Sequence, residues 1–205
     1  MPAHDHRTHS HRAEVADVLA FVNTAGPVGP DELPDDVHVL AWLIGRGLVH
    51  PDHRRLPSSR DIASRAHHLR TALRGLFSAT TGHRPPEAAV LADINRALRA
   101  VAPIELIASP DGFAVGHRHL GDPVDDALGR LAQVILRAVT EGEVGRLRLC
   151  AGPRCQRAFR DASRAGTRLW CDMTRCGNRA KADRHRAKAR GVVAQPSAAP
   201  YPRTT

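Results

Sequence analysis

Four cysteines, the only ones in the 205-residue chain, stand in two equally spaced pairs near its carboxyl end. Four residues separate Cys150 from Cys155 and Cys171 from Cys176, and fifteen residues separate the two pairs. Two thiol pairs joined by a short connector supply the four ligands that a tetrahedral metal ion requires. The loops are longer than the commonest two-residue spacing. An iron–sulfur cluster, two disulfides or unrelated buried thiols are the alternatives.

The amino-terminal residues argue against disulfides. Residues 1–6 are polar and contain neither the apolar core nor the cleavage site of a secretory signal, whereas disulfides need an oxidising compartment. No stretch approaches the roughly 18 apolar residues of a membrane span. We therefore expect a soluble cytoplasmic protein without a membrane partner, in which the four cysteines hold a structural zinc ion.

Positive charge is concentrated around the cysteines. The chain has a net charge of +9, yet residues 145–191 contain fourteen Arg or Lys against three Asp, which gives this segment +11. Residues 1–144 carry −3. Such a field attracts polyanions, with an affinity that falls steeply as salt rises. A solvated surface is the simpler reading of a charged run, but the acidic neighbouring segment argues against it.

The segment after the last cysteine has the composition of an exposed helix. Residues 174–190 are rich in Ala, Arg and Lys, which favour helix, and their basic side chains cover most of its circumference. Such a helix is suited to lie against the phosphates of a nucleic acid, with some side chains reaching base edges. Asn178 and Arg179 are the side-chain types that form two-point hydrogen bonds with adenine and guanine, respectively. Asn178 could equally be a structural residue of the metal-binding loop. The predicted nucleic-acid-binding residues are Arg168, Arg175, Asn178, Arg179, Lys181, Arg184, His185, Arg186, Lys188 and Arg190.

Between the cysteine pairs the sequence predicts a short β-hairpin. Residues 157–161 and 168–170 have strand character, and residues 162–167 have the composition of a turn. Phe159 and Trp170 would cover a module too small to fold by apolar burial alone, so metal binding would supply much of its folding free energy. Trp170 could instead stack on a base. A hairpin followed by a helix with the last ligand is the outline of a treble-clef-like finger.

This carboxyl-terminal sequence resembles the CGNR zinc finger, a family named for the tetrapeptide that stands here at residues 176–179. The resemblance includes all four cysteines, the run Gln-Arg-Ala-Phe-Arg-Asp after Cys155, and the Trp-Cys pair at residues 170–171. It implies a zinc-dependent DNA-binding end in a bacterial transcriptional regulator.

In that family the finger follows a domain called ABATE, and the start of this chain is similar to it. Residues 21–24 read Phe-Val-Asn-Thr, residues 31–33 read Asp-Glu-Leu, and residues 40–43 read Leu-Ala-Trp-Leu. The similarity is looser here than in the finger.

The segment before the cysteines has the pattern of a helical domain with one β-hairpin. Apolar residues recur at helical spacing in four places, and Asp122 followed by Pro123, Asp125 and Asp126 marks the start of a fifth helix. Strand-like residues 104–107 and 113–115 flank a Ser-Pro-Asp-Gly turn. We predict a mostly α fold, in which a helical domain with one β-hairpin precedes a treble-clef-like zinc finger built from a β-hairpin and a basic helix. The expected divisions are a disordered tail at 1–11, an ABATE-like domain at 12–142, the finger at 146–190 and a disordered tail at 191–205.

Catalysis has no support in the sequence. The chain has no glycine-rich phosphate loop, nucleophile elbow or His-Glu-x-x-His motif, and its thiols are assigned to the metal, so we expect no enzyme. A regulator needs an input, and the helical domain could bind an unknown small-molecule effector, form a homodimer, or both. Asn23, Thr24 and Trp42 are hypothetical ligand contacts, although a helix end and a core position explain them more simply.

The main hypothesis is a cytoplasmic transcriptional regulator that binds double-stranded DNA through its zinc finger. One alternative is an RNA- or ribosome-associated zinc-finger protein, because basic treble-clef modules also suit structured RNA. Another is a protein-interaction adaptor whose basic finger docks on an acidic partner. A single finger contacts few base pairs, which favours a homodimer.

Overall fold

A computed structural model of the protein describes residues 5–51, 61–101, 104–110, 112–117 and 122–190. Within these ranges six α-helices and two small antiparallel sheets follow one another, so the mostly α fold is confirmed. The elements are α1 (Asp5–Val22), α2 (Asp36–Gly45), α3 (Ile62–Thr81), α4 (Ala88–Arg99), β1 (Ile104–Ser109), β2 (Gly112–His117), α5 (Pro123–Thr140), β3 (Leu147–Leu149), β4 (Ala158–Arg160) and α6 (Asn178–Ala189).

The helices predicted from apolar spacing and, for α5, from its capping residues also build the core. Val18, Leu73 and Leu131, from α1, α3 and α5, are fully buried in one apolar cluster. At the start of α5 the Asp122 carboxylate accepts a hydrogen bond from the Val124 amide, and Pro123 occupies the first helical position. Among the described residues, no helix has both the length and the apolar content needed to cross a bilayer.

The first helix begins inside the segment expected to be a tail. The structure starts α1 at Asp5, and the expected disorder over residues 1–11 stays a prediction. Once the buried turns from Val15 onward are helical, each added residue gains a backbone hydrogen bond without a new nucleation cost, so polar residues can extend the helix. Residues 1–4 and 191–205 lie outside the described ranges.

The predicted hairpin before α5 is confirmed. β1 and β2 pair antiparallel, with Leu106 opposite Val115 and Ala108 opposite Phe113. Because side chains alternate between the two faces of a strand, Leu106, Ala108 and Phe113 share one face. Leu106 and Phe113 are 75% and 79% exposed. The hairpin therefore presents apolar side chains to solvent.

The hairpin expected within the finger forms with a different partner strand. Residues 158–160 pair with Leu147–Leu149, and not with residues 168–170 as predicted. The Asp161 carboxylate explains the difference, since it accepts hydrogen bonds from the amides of Ser163 and Arg168 and folds residues 161–168, the connector, into a compact loop. Beyond the connector, the Ala151 amide donates to the Leu169 carbonyl and ties the later segment to the first cysteine turn.

The β3–β4 hairpin belongs to the core of the helical domain. Leu147 and Ala158 are buried in the same apolar cluster as α1, α3 and α5. At the end of α3, Thr80 donates to the Leu147 carbonyl and Thr81 accepts from the Leu149 amide at 2.8 Å. Apolar burial and side-chain hydrogen bonds therefore hold the first half of the predicted finger to the helices.

Asn23 makes a two-point polar contact between the end of α1 and this hairpin. Its Nδ2 donates to the Ala158 carbonyl at 2.9 Å, and its Oδ1 accepts from the Ala158 amide at 2.8 Å. One side chain thus satisfies both backbone groups of a residue that is 2% exposed. Buried backbone groups left without partners are costly, so this pairing fixes the hairpin against the end of α1.

We predict that Asn23→Ala lowers the free energy of unfolding by about 2 kcal/mol, because two buried backbone groups of Ala158 lose their partners. Urea denaturation followed by circular dichroism measures the change. Asn178→Ala is the matched control, since Asn178 is exposed and its side chain has no hydrogen bond within the described residues. An Asn23→Ala protein as stable as this control would contradict the assigned role.

Candidate metal centre and basic surface

The four cysteines converge at one point of the structure. Their Sγ atoms all lie within 4.8 Å of one another, with 3.6 Å between Cys155 and Cys171 and 3.8 Å between Cys171 and Cys176. A disulfide would require about 2.05 Å, so these pairs are not disulfide-bonded. Four thiolates about 2.3 Å from a central ion define tetrahedral edges of about 3.8 Å, and the observed spacing fits such a site.

The close packing of the four thiols also favours a bound cation. Burial, together with the neighbouring Cys155 and Cys150, raises the pKa of Cys171, and burial likewise raises the pKa of Cys176. Four thiolates packed this closely repel one another unless a positive ion lies between them. The donor set therefore matches a metal that binds thiolate sulfur.

Each cysteine pair is positioned by a tight turn. In the first turn the Cys155 amide donates to the Gly152 carbonyl, while the Cys150 amide donates across the hairpin to the carbonyl of Arg157.

In the second turn Asp172 accepts hydrogen bonds from the amides of Thr174 and Arg175 and so starts the π-helical turn Met173–Gly177. The first pair is thus fixed by the β3–β4 hairpin, and the second pair by the helical turn before α6.

Gly177, the second residue of the CGNR tetrapeptide, allows a close approach. It is buried, and a Cβ atom there would lie 3.0 Å from the Met173 sulfur and 3.3 Å from Cδ1 of Trp170. Such distances are tighter than ordinary van der Waals contact, so a larger residue would displace one of these side chains. Trp170 is half-buried at this contact, which agrees with a packing role.

The basic helix α6 stands apart from the core. All its described side chains are exposed except those of Ala180 and Ala187, which are half-buried, and its main packing partner is the π-helical turn Met173–Gly177. Apart from the contacts among the thiols, no hydrogen bond or ion pair joins residues 172–190 to any other described part of the chain. The metal centre and van der Waals contact are therefore what hold α6 to the body of the protein.

The predicted nucleic-acid contacts fall into two groups. Arg168 is engaged inside the finger, where it donates to the Cys171 carbonyl at 2.9 Å and lies 5.8 Å from the centre of the Phe159 ring. Arg186 pairs with Asp183 on the helix surface at 2.7 Å. The remaining predicted residues are exposed side chains on α6 or on the turn before it, namely Arg175, Asn178, Arg179, Lys181, Arg184, His185, Lys188 and Arg190.

Sequence reasoning missed one basic residue of this surface. A groove of about 710 Å³ runs between the first cysteine turn and α6, and Arg154 lines it together with Arg179, Arg186 and Arg190. The position of Arg154 inside the first cysteine turn was the available signal, because ligand turns meet at the metal. Other arginines counted in the basic segment are structural, since Arg146 and Arg148 bind backbone carbonyls of the connector.

The three hypothetical ligand contacts do not share one site. Asn23 is occupied by Ala158, and the buried Thr24 hydroxyl donates to the Phe21 carbonyl and accepts from Arg70. Trp42 is half-buried between Phe21 and the guanidinium of Arg46. Asn23 and Thr24 border a cleft beside the finger, whereas Trp42 is not among the residues that line it.

We predict that removing the metal with a chelator releases residues 172–190 while α3 and the β3–β4 hairpin remain folded, because only the metal centre and van der Waals contact hold the later segment. Hydrogen–deuterium exchange should show lost protection in α6 and retained protection in α3. Cys171→Ser should give the same pattern without a chelator. Arg164→Gln is the control, because it changes an exposed residue of the connector. Loss of protection throughout the chain would contradict this division.

Comparison with known families agrees with this architecture. Residues 146–189 match the CGNR zinc finger model, and residues 17–142 match the model of ABATE, described as "Putative stress-induced transcription regulator". No curated protein matches the chain significantly. The ABATE match covers more than half of the chain and the finger match follows it directly. The chain therefore belongs to the ABATE family and carries a CGNR zinc finger at its carboxyl end.

Proposed function

We propose that the protein is a DNA-binding transcriptional regulator of the bacterial cytoplasm, in which a structural zinc ion presents α6 to duplex DNA. The observation that carries the proposal is the exposure of α6, a basic helix held to the body at its amino-terminal end. Its twelve residues span about 18 Å, and a helix about 10–12 Å wide suits the major groove.

The charges of the helix support a phosphate-facing role. Between Arg175 and Arg190 the described segment carries seven Arg or Lys and one acidic residue, Asp183. The guanidinium of Arg179 has no ion pair within the described residues, and neither does that of Arg184. Because these cations have no partner within the described chain, they can bind phosphates without first breaking an ion pair. The exposed Asn178 amide is likewise available for a base edge.

The metal centre supports zinc in particular. Four cysteine ligands form a closed tetrahedral set, which is typical of structural zinc, and zinc has no preferred geometry that would distort it. The four cysteines would hold the ion and leave no open position for substrate. The role of the metal in this proposal is therefore to position α6, and no catalytic role is assigned to it.

The proposal is tested by selecting genomic DNA fragments with the zinc-loaded protein at near-physiological salt and sequencing them. Enrichment of a shared motif is expected, and two-fold symmetry in it would indicate a homodimer. Retention without a motif, or preferential competition by structured RNA, would contradict duplex recognition and favour the RNA alternative. Salt-resistant capture of an acidic protein would favour an adaptor.

We predict that Arg184→Gln weakens binding to all duplexes and lowers the slope of log K against log salt by about one unit, because one phosphate contact is lost. Fluorescence anisotropy over a salt series measures the slope. Arg99→Gln is the matched control, since Arg99 is exposed on α4 and has no partner within the described residues. Equal slopes for the two variants would exclude Arg184 from the interface.

A further inference from the structure

A cleft of about 440 Å³ separates the finger from the loop that follows α1. We call it the loop–finger cleft. One wall is formed by residues 23–30 and 32, and the other by residues 154–157, 171–172, 175–176 and 179. This volume lies within the roughly 300–1,000 Å³ range of small-molecule sites.

The loop wall of the cleft is held in place by Arg70. This arginine is 6% exposed, donates to Thr24 Oγ1 at 3.0 Å and forms a two-point ion pair with the Asp31 carboxylate. The hydrogen bond from Arg70 is the main reason that the pKa of Asp31 is lowered. The Glu32 amide closes the base of the loop on the Thr24 carbonyl at 2.8 Å. The loop is therefore clamped at both ends.

The clamped loop has unused hydrogen-bond donors. The backbone amides of Ala25, Gly26, Val28 and Gly29 donate no hydrogen bond within the described residues, although all four residues line the cleft. Gly29 has φ of +105°, a conformation that residues with side chains rarely adopt. Residues whose amides have no acceptor within the described chain therefore share this lining with arginines, and both are donors that an oxyanion accepts from.

The finger wall contributes unpaired cations. Arg154, Arg157 and Arg179 line the cleft, and their guanidinium groups have no hydrogen bond or ion pair within the described residues. Arg74, at the base, is instead occupied by the carbonyls of Val22, Ala25 and Gln156. Five arginines face two carboxylates, those of Glu32 and Asp172, so the lining remains positive even after a zinc tetrathiolate with a charge of about −2 is included.

We propose that the loop–finger cleft binds a small oxyanion, a carboxylate or phosphate compound, which competes with nucleic acid for Arg175 and Arg179. Both arginines line the cleft and also belong to the surface assigned to DNA. The inference thus rests on the proposed function for its regulatory meaning, but ligand binding itself does not. An occupied cleft would engage the positive charge at the start of α6 and weaken DNA binding.

The test uses the full-length, zinc-loaded chain. Succinate and inorganic phosphate, as separate carboxylate and phosphate probes, are titrated at constant ionic strength while backbone amide shifts are recorded by NMR. We expect saturable amide shifts in residues 25–32 and around Arg157 with at least one probe. The probe that produces them shows whether the cleft prefers a carboxylate or a phosphate. Shifts spread along α6 that also occur with chloride, or no saturation below about 10 mM for either probe, would overturn the proposal.

Two arginine variants separate this proposal from DNA binding. Arg157→Gln keeps the backbone hydrogen bond between the Cys150 amide and the carbonyl of residue 157. It should lower the affinity of the protein for the probe about tenfold, because a charge-assisted hydrogen bond is lost. Arg184, outside the cleft, provides the matched control, and Arg184→Gln should leave probe affinity unchanged while weakening DNA binding. The probe should raise the apparent Kd for DNA with the wild-type chain more than with Arg157→Gln. Equal probe affinity in both variants would reject the site.

Discussion

The tetrathiol metal centre is the connection on which the arrangement of this protein depends. Two of its ligands, Cys150 and Cys155, belong to a hairpin buried against the helical core, and two, Cys171 and Cys176, belong to the turn that leads into α6. Beyond the thiols themselves, no hydrogen bond or ion pair joins residues 172–190 to the rest of the described chain. Because one ion would bind ligands from both segments, it can orient a helix that buries almost no apolar surface.

The hairpin that carries the first ligands explains several motif residues of the helical domain. Asn23 pairs with the Ala158 backbone, and Arg70 joins Thr24 to Asp31 at the two ends of the neighbouring loop. Asn23 therefore supports the finger from a distance in sequence of 135 residues. Local patterning does not reveal such support, because an Asn-Thr pair at a helix end is also an ordinary C-terminal signal.

The predictions succeeded where short-range physics decides and failed where the chain folds back on itself. Helical spacing placed the first four helices, the Asp122-Pro123 start placed α5, and the Ser-Pro-Asp-Gly turn placed the first hairpin, since each of these signals depends on neighbouring residues. The strand partner of residues 158–160 was wrong because Asp161 binds the connector and leaves Leu147–Leu149 to complete the pair. Charge counting likewise grouped Arg148, a buried structural residue, with the exposed arginines of α6.

The sequence by itself determined the helices, the four ligands and the concentration of basic residues after Cys176, because spacing, thiol chemistry and composition are local properties. Tertiary structure alone decided that the first half of the finger is part of the helical core. It also placed the loop after α1 opposite Arg157 and Arg179. These outcomes depend on which distant surfaces bury one another, and many pairings are compatible with one local pattern.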